Sequence, residues 1–586
     1  MENSFRLRLP EGSSNLSEPK TERPSLATWL AVHLEKSARI KSRHRYALPY
    51  TRVFIVEGTF GEQIQAGSGT RIPWAQNLHE PCPGDGSSDR PPRMAPVISS
   101  VLYSNSKPTM ISFSRRRFLR LLGLSALSAS SAQDRVPQNK NSSSVPMKIV
   151  KIPFENADIA LPVPDGWEIL DTVRPVPHAK VAHLQGSLED ALDHPIGSKM
   201  PLRDMNLGMR RIVLCVDDIS RPTPTAQFFD PLLNYLLAHG AQRKNMLVLF
   251  GLGVHRDMMP EEARIKLGNA DLRGIPWRNH SCSDERNLKY LGTTSRGTYV
   301  SLNRHLTEAD LIIPVGAIEP HLLLGFSGGC KMLMPGLASS RTIGENHMQG
   351  VSPERYNYVG TPESPMRLDL EEGAGMLGKE IFIVNVVMNE SLEICAFFAG
   401  DAVKAHREGV KFSRSLTERP VAHQADVVIV ASNPMNADLR QSMKCIGNVQ
   451  ESVRPGGLII GLVECRHGIG DVTVPPKSLP NGLLRFILNL IGRERVLGFV
   501  DSFRKDAGIE ERFLSHFAAQ LARRNKITVY SRKLPADTGK KLGIFVQFGT
   551  VEKMMNAARL WAPKHACVLI YPYGGATYPK VLSPPC

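Results

Sequence analysis

The chain has 586 residues, of which 72 are Lys or Arg and 56 are Asp or Glu, so its formal net charge is +16. This length exceeds that of one ordinary domain, and a hydrophobic fraction of 42% excludes a disordered or fibrous chain. The 440 residues from Met147 onward carry a net charge of only +7 and lack a basic stripe with interleaved aromatic residues, so no nucleic-acid partner is expected.

Residues 1–109 show no sustained helical or strand period, and we expect them to be disordered or an over-extended reading of the gene. Residues 110–146 begin "MISFSRRRFLRLLGLSALSASSAQ", in which three arginines precede a short apolar run and then small residues. This order is typical of an export signal peptide followed by a linker, and "SRRRFLRLLG" resembles the twin-arginine type. We therefore expect a start near Met110 and a periplasmic or exported protein. The alternative is a basic amphipathic segment in the tail of a cytoplasmic protein.

From Met147 onward, short apolar runs alternate with helical patterns. Runs of strand length are "RRIVLCVDD", "NMLVLFGLG", "DLIIPVGAI", "IFIVNVV", "ADVVIVAS" and "GGLIIGLVE". Helical patterns between them include "TAQFFDPLLNYLLAHG", "MPEEARIKLG" and "ADLRQSMKCIGNVQESV". Strands that are apolar throughout and alternate with helices are typical of parallel sheets covered on both faces.

This alternation predicts an α/β fold of two doubly wound α/β domains, with the active site in the cleft between them. We place the N-terminal domain, which would carry catalysis and cofactor binding, at residues 147–418 and the C-terminal domain at 419–560. The last residues, 561–586, are expected to return towards the first domain.

Polar side chains follow three of the predicted strands, where chemistry collects in such folds. Asp217, Asp218, Ser220 and Arg221 follow the first strand, in "VDDISRPTP". "GLGVHRDM" carries His255 and Arg256 after the next strand, and "GAIEPH" carries Glu319 and His321 after another. One histidine after a strand is usually a structural residue, but three such clusters together predict a single site.

The segment "EPHLLLGFSGGCKMLMPGLASSRTIGENH" is apolar and glycine-rich, yet it contains His321, Lys331 and His347. It lacks the Gly-Lys-Ser/Thr order of a phosphate-binding loop in nucleoside triphosphatases, so that class is disfavoured. An amine among apolar residues has a lowered pKa and becomes a nucleophile, whereas the alternative is a lysine that extends along a helix surface. A neutral imidazole is a frequent ligand of zinc, copper or nickel. A zinc site formed by His255, His321 and His347 is an open alternative without a motif to support it.

The set "DDISRPTP", "GVHRDM", "EPHLLLGFSGGCKMLMPG", "ENH" and "LRQSMK" resembles the lactate racemase family, which uses a nickel-pincer nucleotide. The resemblance covers nearly all of residues 147–580. It implies a racemase or epimerase of a 2-hydroxy acid, an isomerase that works by hydride abstraction and return. It also implies the cofactor, a pyridinium-3,5-bisthiocarboxylic acid mononucleotide that holds nickel.

The resemblance assigns roles to individual residues. Lys331 would form the covalent link to the cofactor, His347 would ligate nickel, and His255 and His321 would be the paired general bases. The remaining cofactor and substrate contacts that it implies are Asp218, Arg221, Gly328, Gly329, Gln441 and Lys444. The implied partners are a small-molecule 2-hydroxy acid and the proteins that make the cofactor, with a membrane contacted only transiently during export.

Two positions depart from the family's pattern. Cys330 follows the glycine pair where the family usually has arginine, and Arg440 precedes Gln441 where the family usually has tyrosine. Arg440 would place an extra cation near the substrate, so a larger or more acidic 2-hydroxy acid is expected as readily as lactate. Two alternatives come from other classes, a three-histidine metallohydrolase and an exported two-lobed solute-binding protein.

Overall fold

The computed structural model describes residues 147–583 except 269–271, 273, 352–354, 356, 471, 476, 477 and 493–508. All of these residues fall in the second of two compact units of the chain, Pro108–Cys586. The predicted N-terminal extension and export signal lie outside the described residues.

The strands are β1 (Met147–Phe154), β2 (Ala157–Pro164), β3 (Glu168–Thr172), β4 (Ile212–Val216), β5 (Met246–Phe250), β6 (Trp277–Asn279), β7 (Leu288–Thr293), β8 (Tyr299–Asn303), β9 (Leu311–Ala317), β10 (Pro320–His321), β11 (Gly325–Phe326), β12 (Glu380–Met388), β13 (Ile394–Asp401), β14 (Glu418–Val421), β15 (Ala425–Ala431), β16 (Val453–Leu462), β17 (Lys526–Tyr530), β18 (Val546–Phe548), β19 (Cys567–Tyr571) and β20 (Tyr578–Val581). The helices are α1 (Leu184–Asp193), α2 (Thr225–Ala238), α3 (Pro260–Leu267), α4 (Arg304–Glu308), α5 (Ser340–Gln349), α6 (Pro365–Gly375), α7 (Lys404–Thr417), α8 (Leu439–Ser442), α9 (Lys444–Val449), α10 (Asn481–Ile491), α11 (Ile509–Arg524), α12 (Thr538–Leu542) and α13 (Val551–Trp561). Among the described residues, no helix is both long and apolar enough to cross a membrane.

Two six-stranded sheets organise the described residues. Sheet A has the strand order β13-β12-β9-β4-β5-β6, and only its β12–β13 pair is antiparallel. Sheet B has the order β18-β17-β16-β15-β19-β3 and is parallel throughout. The predicted α/β class with parallel sheets is therefore confirmed.

Alternate residues of the apolar strands pack on opposite faces of each sheet, as the two-residue period of a strand requires. On β4, Leu214 and Val216 pack against α2, whereas Val213 and Cys215 join a second cluster. This second cluster also contains β15 and β16 side chains, so one apolar core is shared by sheets A and B. The far face of sheet B is covered by α13 and by the β1–β2 hairpin.

The first strands and the last strands pair in ways that the sequence pattern does not indicate. Strand β3 forms the edge of sheet B beside β19, and β20 pairs with β14. Residues 147–172 are thus associated with the sheet that is otherwise built from residues 425–571. The division into domains at residue 418 stays a prediction.

Candidate active site

Two neighbouring aspartates follow β4 and are 4% exposed. The Lys266 ammonium forms an ion pair with Asp217 at 2.7 Å, and the Thr223 hydroxyl donates to the same carboxylate. Asp217 therefore has its partners inside the fold. Asp218 points elsewhere: it accepts a hydrogen bond from the Ser220 backbone at 2.7 Å, and one of its oxygens lies 3.0 Å from Nδ1 of His255. The tight turn after β4 therefore separates a structural carboxylate from one that faces the site.

His255 is held between a carboxylate and a guanidinium. Because a carboxylate oxygen accepts, Nδ1 of His255 carries the proton and Nε2 carries the lone pair. Arg221 lies 3.4 Å from that Nε2 and 3.8 Å from Asp218. Burial raises the pKa of Asp218, but the hydrogen bond from His255 and the Arg221 charge outweigh burial and keep the pKa well below its usual range. Asp218 is therefore ionised at neutral pH and fixes the His255 ring.

The end of β9 brings a second histidine with the opposite hydrogen bonding. Nδ1 of His321 lies 3.3 Å from the backbone N–H of Leu323 and 3.2 Å from that of Leu324. Nδ1 thus accepts, and in the neutral ring the proton resides on Nε2. Burial lowers the pKa of His321 well below its ordinary value, and the charges of Lys331 and Lys444 lower it further. His321 is therefore a neutral imidazole near the side chains of Lys331, Lys444 and Arg221.

The glycine-rich loop after β11 is fixed by buried polar side chains. Gly328 and Gly329 have φ values of +78° and +61°, and a Cβ on Gly328 would lie 2.8 Å from Asn385 Oδ1, so glycine is required there. Arg367, fully buried, donates to the carbonyls of Phe326 and Gly328.

Two further side chains complete the support of this loop. Nε2 of His406 donates to the Ser327 carbonyl at 2.8 Å, and Asn385 Oδ1 accepts from the Gly329 N–H at 2.7 Å. Backbone groups of four consecutive loop residues, 326–329, are therefore hydrogen-bonded by the side chains of Arg367, His406 and Asn385. These bonds restrict the conformation of the backbone that leads to Lys331.

Lys331 follows directly, in a single helical turn at Gly329–Met332. Burial lowers the pKa of the Lys331 ammonium well below its ordinary value, and Arg221 and Lys444 add to the effect. A larger share of neutral amine favours nucleophilic reactivity, and the role of Lys331 as a nucleophile stays a prediction.

His347 lies on α5, whose first turn is capped by the Ser339 hydroxyl. Nδ1 of His347 is 2.7 Å from the Ile343 carbonyl, which can only accept, so Nδ1 carries the proton. The lone pair is then on Nε2, which is the arrangement found in histidines that ligate metals. In its protonated form, His347 is close enough to lower the pKa of His321, so α5 brings His347 to the same site.

Sheet B supplies side chains from α8 and α9. The Gln441 side chain is 2% exposed, and its Oε1 accepts no hydrogen bond from the described residues. Lys444 lies 3.7 Å from Glu319, and its charge affects both Lys331 and His321. The site is therefore built by both sheets. Arg440 precedes Gln441 in α8.

Most of the predicted residues converge, and the links between them are of two kinds. Direct contacts join Asp218, His255 and Arg221, whereas charge interactions join Arg221, His321, Lys331, His347 and Lys444. In the described part of the chain, no group of three or more His, Cys, Asp or Glu side chains is arranged to hold a metal ion. The supporting residues Arg367, His406 and Asn385 were not predicted, because each lies in an ordinary helix or strand without a motif.

Comparison with known proteins decides the family. Residues 154–357 match the model of the lactate racemase N-terminal domain. The lactate racemase of Thermoanaerobacterium thermosaccharolyticum is 30% identical over 333 residues, which are 55% of this chain and 76% of that protein. The chain belongs to the lactate racemase family. The lactate racemase of Lactiplantibacillus plantarum is 31% identical over 318 residues, or 52% of this chain and 74% of that one.

Solved structures agree with this membership. The lactate racemase apoprotein of Thermoanaerobacterium thermosaccharolyticum superposes with a TM-score of 0.61 at 25% identity, over 74% of this chain and 100% of that one. A protein from Thermotoga maritima shares the fold, with a TM-score of 0.52 at 18% identity over 70% of this chain and 100% of that one. As a member of the lactate racemase family, the chain is an isomerase that acts as a racemase.

One of the two positions where the sequence departs from the expected motif can be located in the fold. Cys330, where the resemblance predicts arginine, is 3% exposed and belongs to the apolar core. Burial raises the pKa of its thiol to about 12. Cys330 is thus a small apolar residue that packs behind the loop.

Proposed function

We propose that this racemase inverts a 2-hydroxy acid, lactate or a related acid, by hydride abstraction and return with a nickel-pincer nucleotide linked to Lys331. The observation that carries the proposal is the position of Lys331, which follows a glycine loop held by three buried side chains and lies near two histidines with opposite hydrogen bonding. Family membership supports the reaction class.

The residues present fit the proposed cofactor. The Lys331 amine would form the covalent link: a neutral amine that attacks the carbon of a thiocarboxylic acid group would give a thioamide, with the C–O bond broken and water released. Nε2 of His347 would ligate nickel, since its Nδ1 is already bound to a backbone carbonyl. Gly328 and Gly329 would let the backbone approach the nucleotide, and Asp218 and Arg221 would lie beside it.

When bound, the cofactor would supply an electron-poor ring as hydride acceptor and donor. Proton transfer and substrate binding would be carried out by the side chains of the protein. Nε2 of His255 would take the proton of the substrate hydroxyl while hydride leaves C2, and the ionised Asp218 would stabilise the resulting imidazolium. His321 would be the second acid–base group. Because its Nδ1 accepts from the backbone N–H groups of Leu323 and Leu324, its Nε2 carries the proton in the neutral ring and would act as the donor.

A carboxylate must be held while its C2 is inverted. Arg221 and Lys444 are the cations available next to the histidines, and the Gln441 amide adds a neutral group from sheet B. Both sheets would thus contact the same small substrate. An extra cation at Arg440 would favour an acid with a second negative group.

We also propose the cellular context expected from the sequence. Cofactor-biosynthesis proteins would load the enzyme inside the cell, and a twin-arginine signal at residues 110–146 would export the loaded, folded enzyme to the periplasm or beyond. The proposal rests on the sequence motif alone.

Isotope retention tests the reaction. One enantiomer of lactate, deuterated at C2, is incubated in ordinary water with the enzyme purified from its native host, and the opposite enantiomer is analysed by mass spectrometry. Hydride abstraction and return predicts that the product retains deuterium at C2. Complete loss of deuterium would contradict the proposal, and binding without inversion would favour a solute-binding protein.

A further inference from the structure

Glu319 is a buried carboxylate in the active site with incomplete hydrogen bonding. It is 8% exposed, its Oε1 lies 3.7 Å from the Lys444 ammonium, and its Oε2 accepts no hydrogen bond from any described residue. Leaving such a group unpartnered in a protein interior is destabilising. A carboxylate kept in this state beside a lysine therefore suggests a role in the site and not in the core.

The two partners belong to different parts of the fold. Glu319 follows β9 of sheet A, and its backbone is fixed by two bonds with Ser327, at 3.0 Å and 2.8 Å. Lys444 begins α9, which packs on β15 and β16 of sheet B, and its long side chain reaches across to Glu319. The backbone of Glu319 is thus fixed, whereas the Lys444 ammonium lies at the end of a long side chain.

We propose that Glu319 is a positioning residue that holds the Lys444 ammonium where it binds the carboxylate of the substrate. This inference rests on the proposed function, in which Lys444 is one of the cations for that carboxylate. A lysine carries several rotatable bonds, so fixing its ammonium before substrate arrives reduces the entropy lost on binding.

The contact with Glu319 also affects the protonation of Lys444. Burial lowers the pKa of Lys444, the Glu319 charge raises it, Arg221 lowers it and Asp438 raises it. The charged or titratable groups that face Lys444 are Glu319, Arg221, Asp438, Lys331 and His321. A lysine is charged below its pKa, so removal of Glu319 would make Lys444 lose its proton at a lower pH.

The test uses the cofactor-loaded Glu319→Gln enzyme, with kcat and KM for the 2-hydroxy acid measured from neutral to alkaline pH. We expect a KM at least about tenfold above that of the wild type, which corresponds to about 1.4 kcal/mol of binding. This KM should climb further as pH rises, while kcat changes less. The covalent adduct on Lys331, read by intact mass, should equal that of the wild type.

Three further variants make the result specific. Glu319→Gln combined with Lys444→Arg should restore a KM independent of pH, because arginine remains charged without a partner. Glu319→Asp keeps the charge but withdraws it by one methylene, so we expect a raised KM with the wild-type pH profile. As the matched control, Glu451→Gln removes a surface ion pair with Arg524 (2.6 Å) and should leave all parameters unchanged.

The outcomes separate this inference from the function on which it rests. A wild-type KM and pH profile in both the Gln and the Asp variants would overturn the positioning role and leave the racemase proposal intact. If Glu319→Gln does not fold, the Asp variant alone decides, and an unchanged KM overturns the role. A wild-type enzyme without adduct or racemisation would instead contradict the proposed function.

Discussion

Lys331 is the side chain on which the proposed cofactor attachment depends. Its amine has a lowered pKa because it is buried near Arg221 and Lys444, and the preceding glycine loop is fixed by three buried side chains. A lysine motif without this context is ambiguous, which explains why the sequence alone left a surface lysine open as an alternative. The tertiary environment supports the nucleophilic interpretation.

Replacement of Lys331 by alanine should abolish covalent attachment of the cofactor and leave the fold intact. The reason is that alanine has no amine, and that a charge-free side chain is tolerated in this buried environment. Intact mass measures attachment, and thermal unfolding measures the fold. Lys444→Ala is the matched control, because it removes another partly buried lysine of the site and should retain the adduct. An unchanged mass shift in Lys331→Ala would refute the assignment.

The three histidines should differ in their effects. His255→Ala and His321→Ala should each lower the racemisation rate by about a hundredfold or more, because each removes an acid–base group. Both variants should keep cofactor and nickel. His347→Ala should lose nickel, since its Nε2 is the proposed ligand. The nickel content of all three variants, measured by metal analysis, tests this difference. Equal loss of nickel in the three variants would favour a three-histidine metal site.

Asp218 should control the tautomer of His255. An asparagine at this position presents either an amide N–H or a carbonyl, and the wrong orientation would place the imidazole proton on Nε2. Asp218→Asn should therefore lower kcat by about a hundredfold or more while the adduct on Lys331 is retained. A kcat within a few-fold of the wild type would remove Asp218 from the mechanism.

At the scale of elements, strands and their polar ends were predictable, and long-range pairings were not. Strand β4, "IVLCV", and strand β9, "LIIPVGA", are apolar throughout, so their type and the chemistry at their ends follow from local pattern. The pairing of β3 with β19 joins residues about 400 positions apart and has no local signal. The support of the glycine loop by α6, α7 and β12 could not be predicted either, because it also joins residues that are far apart in the sequence and has no local signal.

The loop support predicts a defined cost for one substitution. Asn385→Ala leaves the buried N–H of Gly329 without its acceptor, which should lower the free energy of unfolding by about 1–3 kcal/mol and reduce the fraction of protein with adduct. Chemical denaturation and intact mass measure the two effects. Asn234→Ala on the exposed side of α2 is the control and should change stability by less than about 0.5 kcal/mol. Equal stability of both variants would contradict the supporting role.

At the scale of the whole molecule, the proposed export route and the proposed cofactor loading predict each other. A twin-arginine signal moves folded proteins, and a site built by both sheets can hold a cofactor only when folded. We expect the mature chain to begin near Gln133 and to be found outside the cytoplasm with its cofactor. N-terminal sequencing of the native protein tests this expectation. Retention of residues 1–132 would refute export and leave the active-site assignment unaffected.

The central claim is that racemisation depends on a cofactor bound covalently to Lys331. Its most direct test is the intact mass of the racemising enzyme from its native host, followed by peptide mapping. The account predicts a mass several hundred daltons above that of the polypeptide, with the whole excess on the peptide that contains Lys331. A racemising enzyme whose mass equals that of the unmodified polypeptide would contradict it.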